Sequence, residues 1–140
     1  MPDTTGTENV IEVFRPTCNL DTVRDGRGGI FTWVPREPVV EWNMIIFNPS
    51  KIRGNHYHKE FVEYFLVVDG YGVMVSKDAD GNEIFFHLSK GQCLRSPIGV
   101  PHAFYAIEHT TAMAFLTKNW DACDPPITYE NLIQQKQDSE

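Results

Sequence analysis

Glycine, proline, aspartate and asparagine interrupt this chain at short intervals, and the runs between them are rich in Val, Ile, Phe, Tyr and Trp. Runs of about four to eight such residues, bounded by turn residues, are typical of short antiparallel strands. Asp69-Gly70 and Asp80-Gly81 each put a glycine between two strand-like runs, where a tight turn favours a positive φ. The sequence therefore predicts an all-β fold with a hairpin at each of these positions.

The strand pattern recurs along most of the chain. The predicted strands are residues 10–14, 30–34, 39–47, 54–58, 62–68, 72–76, 83–88, 92–95, 102–106 and 111–116. That many short strands in 140 residues fit a double-sheet jelly roll or a small barrel. One short helix is expected after Asp124-Pro125-Pro126, where Ile127, Leu132 and Ile133 precede a polar tail.

Length and charge limit the class of protein. The 140 residues suit a flexible N-terminus at residues 1–8 and a single domain at residues 9–140. The net charge of −7, with basic residues scattered singly, argues against nucleic acid binding, which needs clustered Lys and Arg. No apolar run approaches the roughly 20 residues of a membrane helix, and no secretory signal is readable. We therefore expect a cytoplasmic protein with no membrane partner.

The cysteines are odd in number and widely spaced. Cys18, Cys93 and Cys123 include no C-x-x-C pair, which argues against a disulfide framework and against a thiolate zinc site. Three reduced thiols are expected.

Histidines in two separate segments predict a metal site. His56 and His58 lie two apart, so on a strand both rings point to one face. Glu63 shares the inward parity of Phe65 on the next strand, and His102 comes from a later segment. Three imidazoles and one carboxylate form a typical site for Zn²⁺, Fe²⁺, Mn²⁺, Ni²⁺ or Cu²⁺. A lone histidine in a β-protein is more often only hydrogen-bonded, but here each segment supplies ligands that the other lacks.

The spacing of these residues resembles the two motifs of the cupin superfamily. The first segment reads H-x-H-x4-E-x6-G from His56 to Gly70, and the second reads G-x5-P-x-G-x2-H from Gly91 to His102. Ser50 stands where the first motif usually opens with glycine, and Ala106 stands where the second usually closes with asparagine. The resemblance implies the cupin double-stranded β-helix, a jelly-roll barrel, here with a short C-terminal helix.

The resemblance also implies a ligand set and an assembly. It makes His56, His58, Glu63 and His102 the ligands of one divalent transition metal, with zinc favoured and iron, manganese, nickel and copper left open. It makes Gly70, Gly91 and Gly99 turn residues of the barrel. Because cupins usually pair, it implies a homodimer.

Two stretches narrow the expected function. RGNHYHK at residues 53–59 resembles the R-G-x-H-x-H-K stretch of nucleotide-sugar 3,4-ketoisomerases, and with the following FLVVDG it resembles the cupin domain of capsular UDP-sugar epimerase/reductases. D-G-R-G at residues 25–28, followed by Phe31, resembles the D-x-R-G-x-F stretch of sugar-nucleotide epimerases with one residue inserted; it is equally well a glycine-rich turn. The resemblance implies an isomerase or epimerase of a keto sugar nucleotide in polysaccharide or deoxysugar biosynthesis.

Such a reaction removes and returns a proton beside a carbonyl, and the sequence leaves the proton carrier open. If the histidine pair binds metal, the candidates are Tyr57, Lys59 and Glu41, because the predicted register turns Tyr64 and Tyr105 outwards. If no metal binds, the resemblance to the ketoisomerases makes His56 or His58 the catalytic base.

The remaining candidates concern substrate binding. Positive charge for the diphosphate of a sugar nucleotide would come from Arg27, Arg53 and Arg95. Trp120 lies outside both motifs and is placed to close the pocket, while Trp33, Trp42, Phe47, Phe65 and Phe104 are expected in the core.

Two other functions are also consistent with the sequence. A metal-dependent dioxygenase of a small organic substrate would use the same three histidines and one glutamate, with iron, copper or nickel. A cupin without catalytic activity would only bind a sugar or metabolite. Zinc would favour the isomerase, and iron or copper with oxygen uptake would favour the dioxygenase. A metal site with no proton carrier near the substrate would favour the binding protein.

Overall fold

The chain folds into two antiparallel five-stranded sheets, which the computed structural model describes over residues 10–14 and 26–133. The strands are β1 Glu12–Phe14, β2 Glu41–Phe47, β3 Ile52–Tyr57, β4 Glu63–Asp69, β5 Tyr71–Lys77, β6 Glu83–Ser89, β7 Cys93–Ser96, β8 His102–Ala106, β9 Thr110–Leu116 and β10 Thr128–Tyr129. The first sheet has the order β1-β7-β4-β9-β2 and the second has the order β10-β3-β8-β5-β6. The expected double-sheet jelly roll is confirmed.

The core lies between the two sheets because each strand turns alternate side chains inwards. Phe47 of β2, Phe65 of β4 and Phe104 of β8 are almost fully buried, and their ring centroids are 5.0 to 6.2 Å apart. Burying one such side chain contributes about 1.5 to 3 kcal/mol. Trp42, which was expected in the core, is 67% exposed on β2, because it points away from Phe47's face of the sheet.

The two predicted hairpins have different outcomes. Asp80-Gly81 does join β5 to β6, which pair along their whole length. Asp69-Gly70 joins β4 to β5, but these strands belong to different sheets, so the turn is a crossing and not a hairpin. Gly70 has a φ of 106°, and a Cβ there would lie 2.5 Å from the His109 carbonyl oxygen, so only glycine fits the crossing.

The predicted strand at residues 30–34 is absent. Only isolated bridge residues occur there, at Gly28 and Thr32, and Ile30 and Val34 are 61% and 70% exposed. Strand-forming residues need a partner edge to pack and pair against. No described strand offers this segment a continuous edge.

The predicted C-terminal helix is also absent from the described residues. A single 3-10 turn occurs at Trp120–Ala122, and Thr128–Tyr129 forms the strand β10 instead, paired with Tyr57 and His56 of β3. Backbone groups that a helix would satisfy internally are satisfied here by a neighbouring strand. The end of the predicted segment, residues 134–140, lies outside the described residues.

Other predictions fall on the undescribed part of the chain. They concern residues 1–8, Cys18 and Asp25. Cys93 and Cys123 are free thiols, as expected, and burial raises the pKa of Cys93 to about 12. A membrane-spanning helix does not occur among residues 10–14 and 26–133.

Candidate metal centre

Two neighbouring strands of the second sheet bring the three histidines together. His56 lies in β3, His58 directly follows β3, and His102 begins β8. The register of β3 on β8 shifts between Gly54 and His56, where Asn55 has a positive φ of 58°, and this bulge sets His56 opposite His102. One ring nitrogen from each histidine lies within 4.8 Å of the others.

The first sheet supplies the carboxylate. Glu63 begins β4, and its Oε1 is 2.9 Å from Nε2 of His58 and 3.3 Å from Nε2 of His102. His58, Glu63 and His102 are each no more than 9% exposed. The four side chains singled out from the sequence thus meet in one place, where the two sheets face each other.

Burial controls the charges of this cluster. The pKa of His56 is lowered to about 4, chiefly by removal from water and to a smaller extent by the neighbouring His102 and His58. Burial alone would raise the pKa of Glu63, but hydrogen bonds with His102 and His58 outweigh it and hold the pKa of Glu63 well below its usual range. The cluster therefore presents a neutral imidazole at His56 and a carboxylate at Glu63.

The hydrogen bonding of His58 tests whether the cluster fits a metal. Nδ1 of His58 is 3.0 Å from the Pro126 carbonyl oxygen, and Nε2 is 2.9 Å from Glu63 Oε1. Both partners are acceptors, whereas a neutral imidazole carries only one N–H. If the single N–H points to Pro126, the contact between Nε2 and Glu63 Oε1 needs a proton or a metal ion between the two atoms. Three imidazole nitrogens and one carboxylate oxygen suit zinc and its first-row neighbours, so the donor set fits.

The cluster lines a cavity of about 680 Å³ between the sheets. Its apolar lining includes Phe47, Phe65 and Phe104. Its polar lining outside the cluster includes Glu41, Asn43, Arg53 and Asp121. Trp120 lies at the histidine end of the cavity, where the centroid of its ring is 6.3 Å from that of His58 and 6.2 Å from that of Phe61. A polar group of a ligand can thus reach the histidines from a partly apolar chamber.

Of the three arginines suggested for phosphate binding, only Arg53 lines the cavity. Arg95 is 3% exposed and lies on the other face of the first sheet, because its neighbour Leu94 is the residue of β7 that points into the core. Its guanidinium binds the Glu37 carboxylate at 2.5 Å, so the prediction for Arg95 is corrected. Arg27 lies in an exposed turn away from the cavity lining.

The three candidate proton carriers differ in whether they line the cavity. Tyr57 alternates with His56 and faces the opposite side of β3, and Lys59 is exposed beyond the strand, so neither lines the cavity. Glu41 does line it, and its Oε1 accepts the Trp120 N–H at 2.8 Å. Tyr64 faces outwards as predicted, donating its hydroxyl to Glu37.

Asp121 is a cavity residue that the sequence did not indicate. It follows Trp120 in the 3-10 turn, well outside both motifs. The expected position of Trp120 at the pocket is the one sequence signal that could have found its neighbour Asp121. His87 and His109 do not line the cavity.

Comparisons with known proteins agree with this fold. The polysaccharide biosynthesis C-terminal domain family matches residues 23–124. Comparison with curated protein sequences gives no match.

Several solved structures are similar to the chain. The capsular polysaccharide assembling protein CapF of Staphylococcus aureus is 22% identical with a TM-score of 0.61, over 77% of this chain and 33% of CapF. The dTDP-4-dehydrorhamnose 3,5-epimerase of Sulfolobus tokodaii is 24% identical with a TM-score of 0.65, over 78% of this chain and 70% of the epimerase. A 3,4-ketoisomerase of Helicobacter canadensis is 16% identical with a TM-score of 0.68, over 78% of this chain and 84% of that protein. At these identities the likeness establishes a shared fold, and the chain spans about a third of the length of CapF.

Proposed function

Because the chain belongs to the polysaccharide biosynthesis C-terminal domain family, we propose that it is an isomerase or epimerase of a keto sugar nucleotide, acting in polysaccharide biosynthesis. The observation that carries the proposal is the cluster of a partly buried His56 with the buried His58, Glu63 and His102, in a chamber open to a small ligand. The similarity to a dTDP-sugar epimerase and a 3,4-ketoisomerase supports the choice of substrate class.

The proposal includes one divalent transition metal, with zinc favoured. Its ligands would be His56, His58, Glu63 and His102, whose donor chemistry fits such an ion. When bound, the metal supplies Lewis-acid polarisation of the keto oxygen.

The protein's own residues have three further roles in this proposal. Arg53, on the cavity lining, binds the diphosphate. The rings of Phe47, Phe65 and Phe104 exclude water from the reacting carbon. Glu41 accepts the proton from the carbon beside the carbonyl and returns it. With the histidines acting as metal ligands, the sequence offered Tyr57, Lys59 and Glu41 as proton carriers, and of these three Glu41 alone lines the cavity.

The test is deuterium exchange. The protein is incubated in D₂O with dTDP- and UDP-4-keto-6-deoxy sugars, and we expect deuterium at C3 or C5 of the sugar. Glu41→Gln should slow exchange by about 10²- to 10⁴-fold, the usual contribution of a general base. The control His87→Ala changes an exposed side chain that touches Tyr71 on the outer surface, so exchange should continue.

The same experiment distinguishes the rival functions. Oxygen consumption on iron loading without exchange would contradict the proposal and favour a dioxygenase. Tight binding of a sugar nucleotide without exchange would favour a binding module.

The proposal also includes a homodimer, as the cupin resemblance implies. β2 is an edge strand of the first sheet, and its outward side chains Trp42, Met44 and Ile46 are 67%, 65% and 44% exposed. An apolar stripe beside an unpaired strand edge favours association. Light scattering should give twice the chain mass of 16.0 kDa, and a monomer at micromolar concentration would contradict this part of the proposal.

A further inference from the structure

The chain from the 3-10 turn onwards, residues 120–133, forms a strap along one edge of the second sheet. Glu41 Oε1 accepts the Trp120 N–H at 2.8 Å, and Glu60 Oε2 accepts the Asp124 N–H at 2.8 Å. β10, within the strap, pairs with β3 at Tyr57 and His56. The strap is therefore attached to the strand that carries His56 and leads directly into His58.

One atom of the strap touches the histidine cluster directly. The Pro126 carbonyl oxygen lies 3.0 Å from Nδ1 of His58, in a site where His58 is 3% exposed. A carbonyl oxygen can only accept a hydrogen bond, so Nδ1 of His58 must carry the proton if this bond forms. Nε2 then has its lone pair free and faces Glu63.

We propose that the strap is a positioning element of the metal centre, in which Pro126 fixes His58 as the Nδ1–H tautomer and so presents its Nε2 to the ion. This inference rests on the metal centre of the proposed function. It deepens that proposal because it gives residues outside both cupin motifs a role in metal affinity.

The other two histidines have no comparable constraint. Nδ1 of His102 is 2.8 Å from Ser96 Oγ, and a hydroxyl can donate or accept, so this contact permits either tautomer. The ring of His56 has no hydrogen-bond partner among residues 10–14 and 26–133. The Pro126 carbonyl is thus the one described contact that selects a histidine tautomer by its chemistry.

Asn55 fixes the far end of the strap. Its Oδ1 accepts the N–H groups of Leu132 and Ile133 at 2.8 and 2.9 Å, and its Nδ2 donates to the Ile133 carbonyl oxygen at 2.9 Å. Its backbone carbonyl accepts the Glu130 N–H at 2.9 Å. Asn55 directly precedes His56, so the same residue shapes the bulge of β3 and holds the strap against it.

The first test reads the tautomer in the unaltered protein. The zinc-loaded full chain, labelled with ¹⁵N at histidine, should show His58 with a protonated Nδ1 and a metal-bound Nε2 in long-range ¹H–¹⁵N spectra. Zinc on Nδ1 of His58, or a proton on its Nε2, would overturn the inference. This readout needs no variant and does not depend on activity.

The second test releases the strap. Asn55→Gly removes the side-chain clamp and suits the positive φ of 58°, so the backbone is not strained. Zinc affinity, measured by competition with a chromogenic chelator, should fall by about 10-fold or more, the usual effect of losing a hydrogen bond to a metal-binding histidine. The His58 Nδ1–H signal should also exchange faster with water. An unchanged zinc affinity in a folded Asn55→Gly variant would overturn the inference.

Ser50→Gly is the matched control. Ser50 has a positive φ of 68° in the exposed turn between β2 and β3, and a glycine there leaves the strap untouched. Its zinc affinity should equal that of the unaltered protein. A wild-type protein that binds no zinc would overturn the metal centre and this inference together, whereas equal affinities in wild type and Asn55→Gly would overturn the inference alone.

Discussion

At the scale of single residues, the four proposed ligands should not be interchangeable with the other histidines of the chain. His102→Ala and Glu63→Gln each remove one of four donors from a buried site, so the metal content after reconstitution should drop from stoichiometric to trace. His87→Ala and His109→Ala, which alter histidines away from the cavity, should leave it unchanged. Elemental analysis measures both outcomes, and full metal retention in His102→Ala would contradict the proposed ligand set.

The ion pair of Arg95 and Glu37 should act on stability and not on the site. Glu37→Gln leaves the buried Arg95 guanidinium without its carboxylate, and we expect a loss of about 1 to 3 kcal/mol in the free energy of unfolding. Glu130→Gln, which breaks the half-exposed pair with Lys77, should cost less than about 1 kcal/mol. Urea denaturation tests the difference, and equal costs would contradict this account.

The same pair predicts a pH dependence. The hydrogen bond from Arg95 holds the pKa of Glu37 below its usual 4.5, and Tyr64 and Arg36 lower it further against the opposing effect of burial. A carboxylate with a lowered pKa in the folded state stabilises the fold above its unfolded pKa, and this stabilisation is lost as the pH falls through the folded value. The stability difference between wild type and Glu37→Gln should therefore be full at neutral pH and shrink below about pH 4.5. A difference that persists unchanged in acid would contradict this assignment.

At the scale of elements, the contact of β3 with β8 positions two of the proposed ligands. Gly54 has a φ of 112°, and a Cβ there would lie 2.7 Å from the His102 carbonyl oxygen and 2.9 Å from Cα of Ala103. Gly54→Ala should push the strands apart, destabilise the fold by about 1 to 3 kcal/mol and weaken metal binding. Gly81→Ala has a comparable φ of 84° but open space around it, so it isolates the backbone strain from the strand contact. Metal affinity that falls equally in both variants would contradict a role for the β3–β8 contact.

At the scale of the whole molecule, metal binding should stabilise a fold that does not depend on it. The proposed ligands come from both sheets, so an ion would bind the native state and not the unfolded chain. Free metal at 100 times Kd would add about 2.7 kcal/mol, and chelation should lower the melting temperature accordingly. The core around Phe47, Phe65 and Phe104 is complete without the ion, so the apoprotein should remain folded. Circular dichroism after chelation measures this, and complete unfolding would contradict it.

Properties that depend only on neighbours along the chain could be predicted from the sequence. Side chains alternate across a strand, so the parity of His56, Glu63 and Phe65 predicted their inward direction, and the structure agrees. The same rule correctly turned Tyr64 outwards. The cupin resemblance added the pairing of two distant segments, which spacing within one segment cannot supply.

Which distant segments pair or pack together is known from the tertiary structure alone. Residues 30–34 have strand-like side chains, but no strand within residues 10–14 and 26–133 offers them a continuous edge. Asp69-Gly70 has the sequence of a hairpin turn, but it carries the chain from one sheet to the other. Arg95 and Arg53 were equal candidates for phosphate binding in the sequence. Arg95 is paired with Glu37 on the outer face of the first sheet, whereas Arg53 lines the cavity. The contact of Pro126 with His58 joins residues 68 positions apart. Such contacts depend on the packing of both sheets at once, because a strand pairs only where another part of the chain offers a complementary edge and an apolar face to bury.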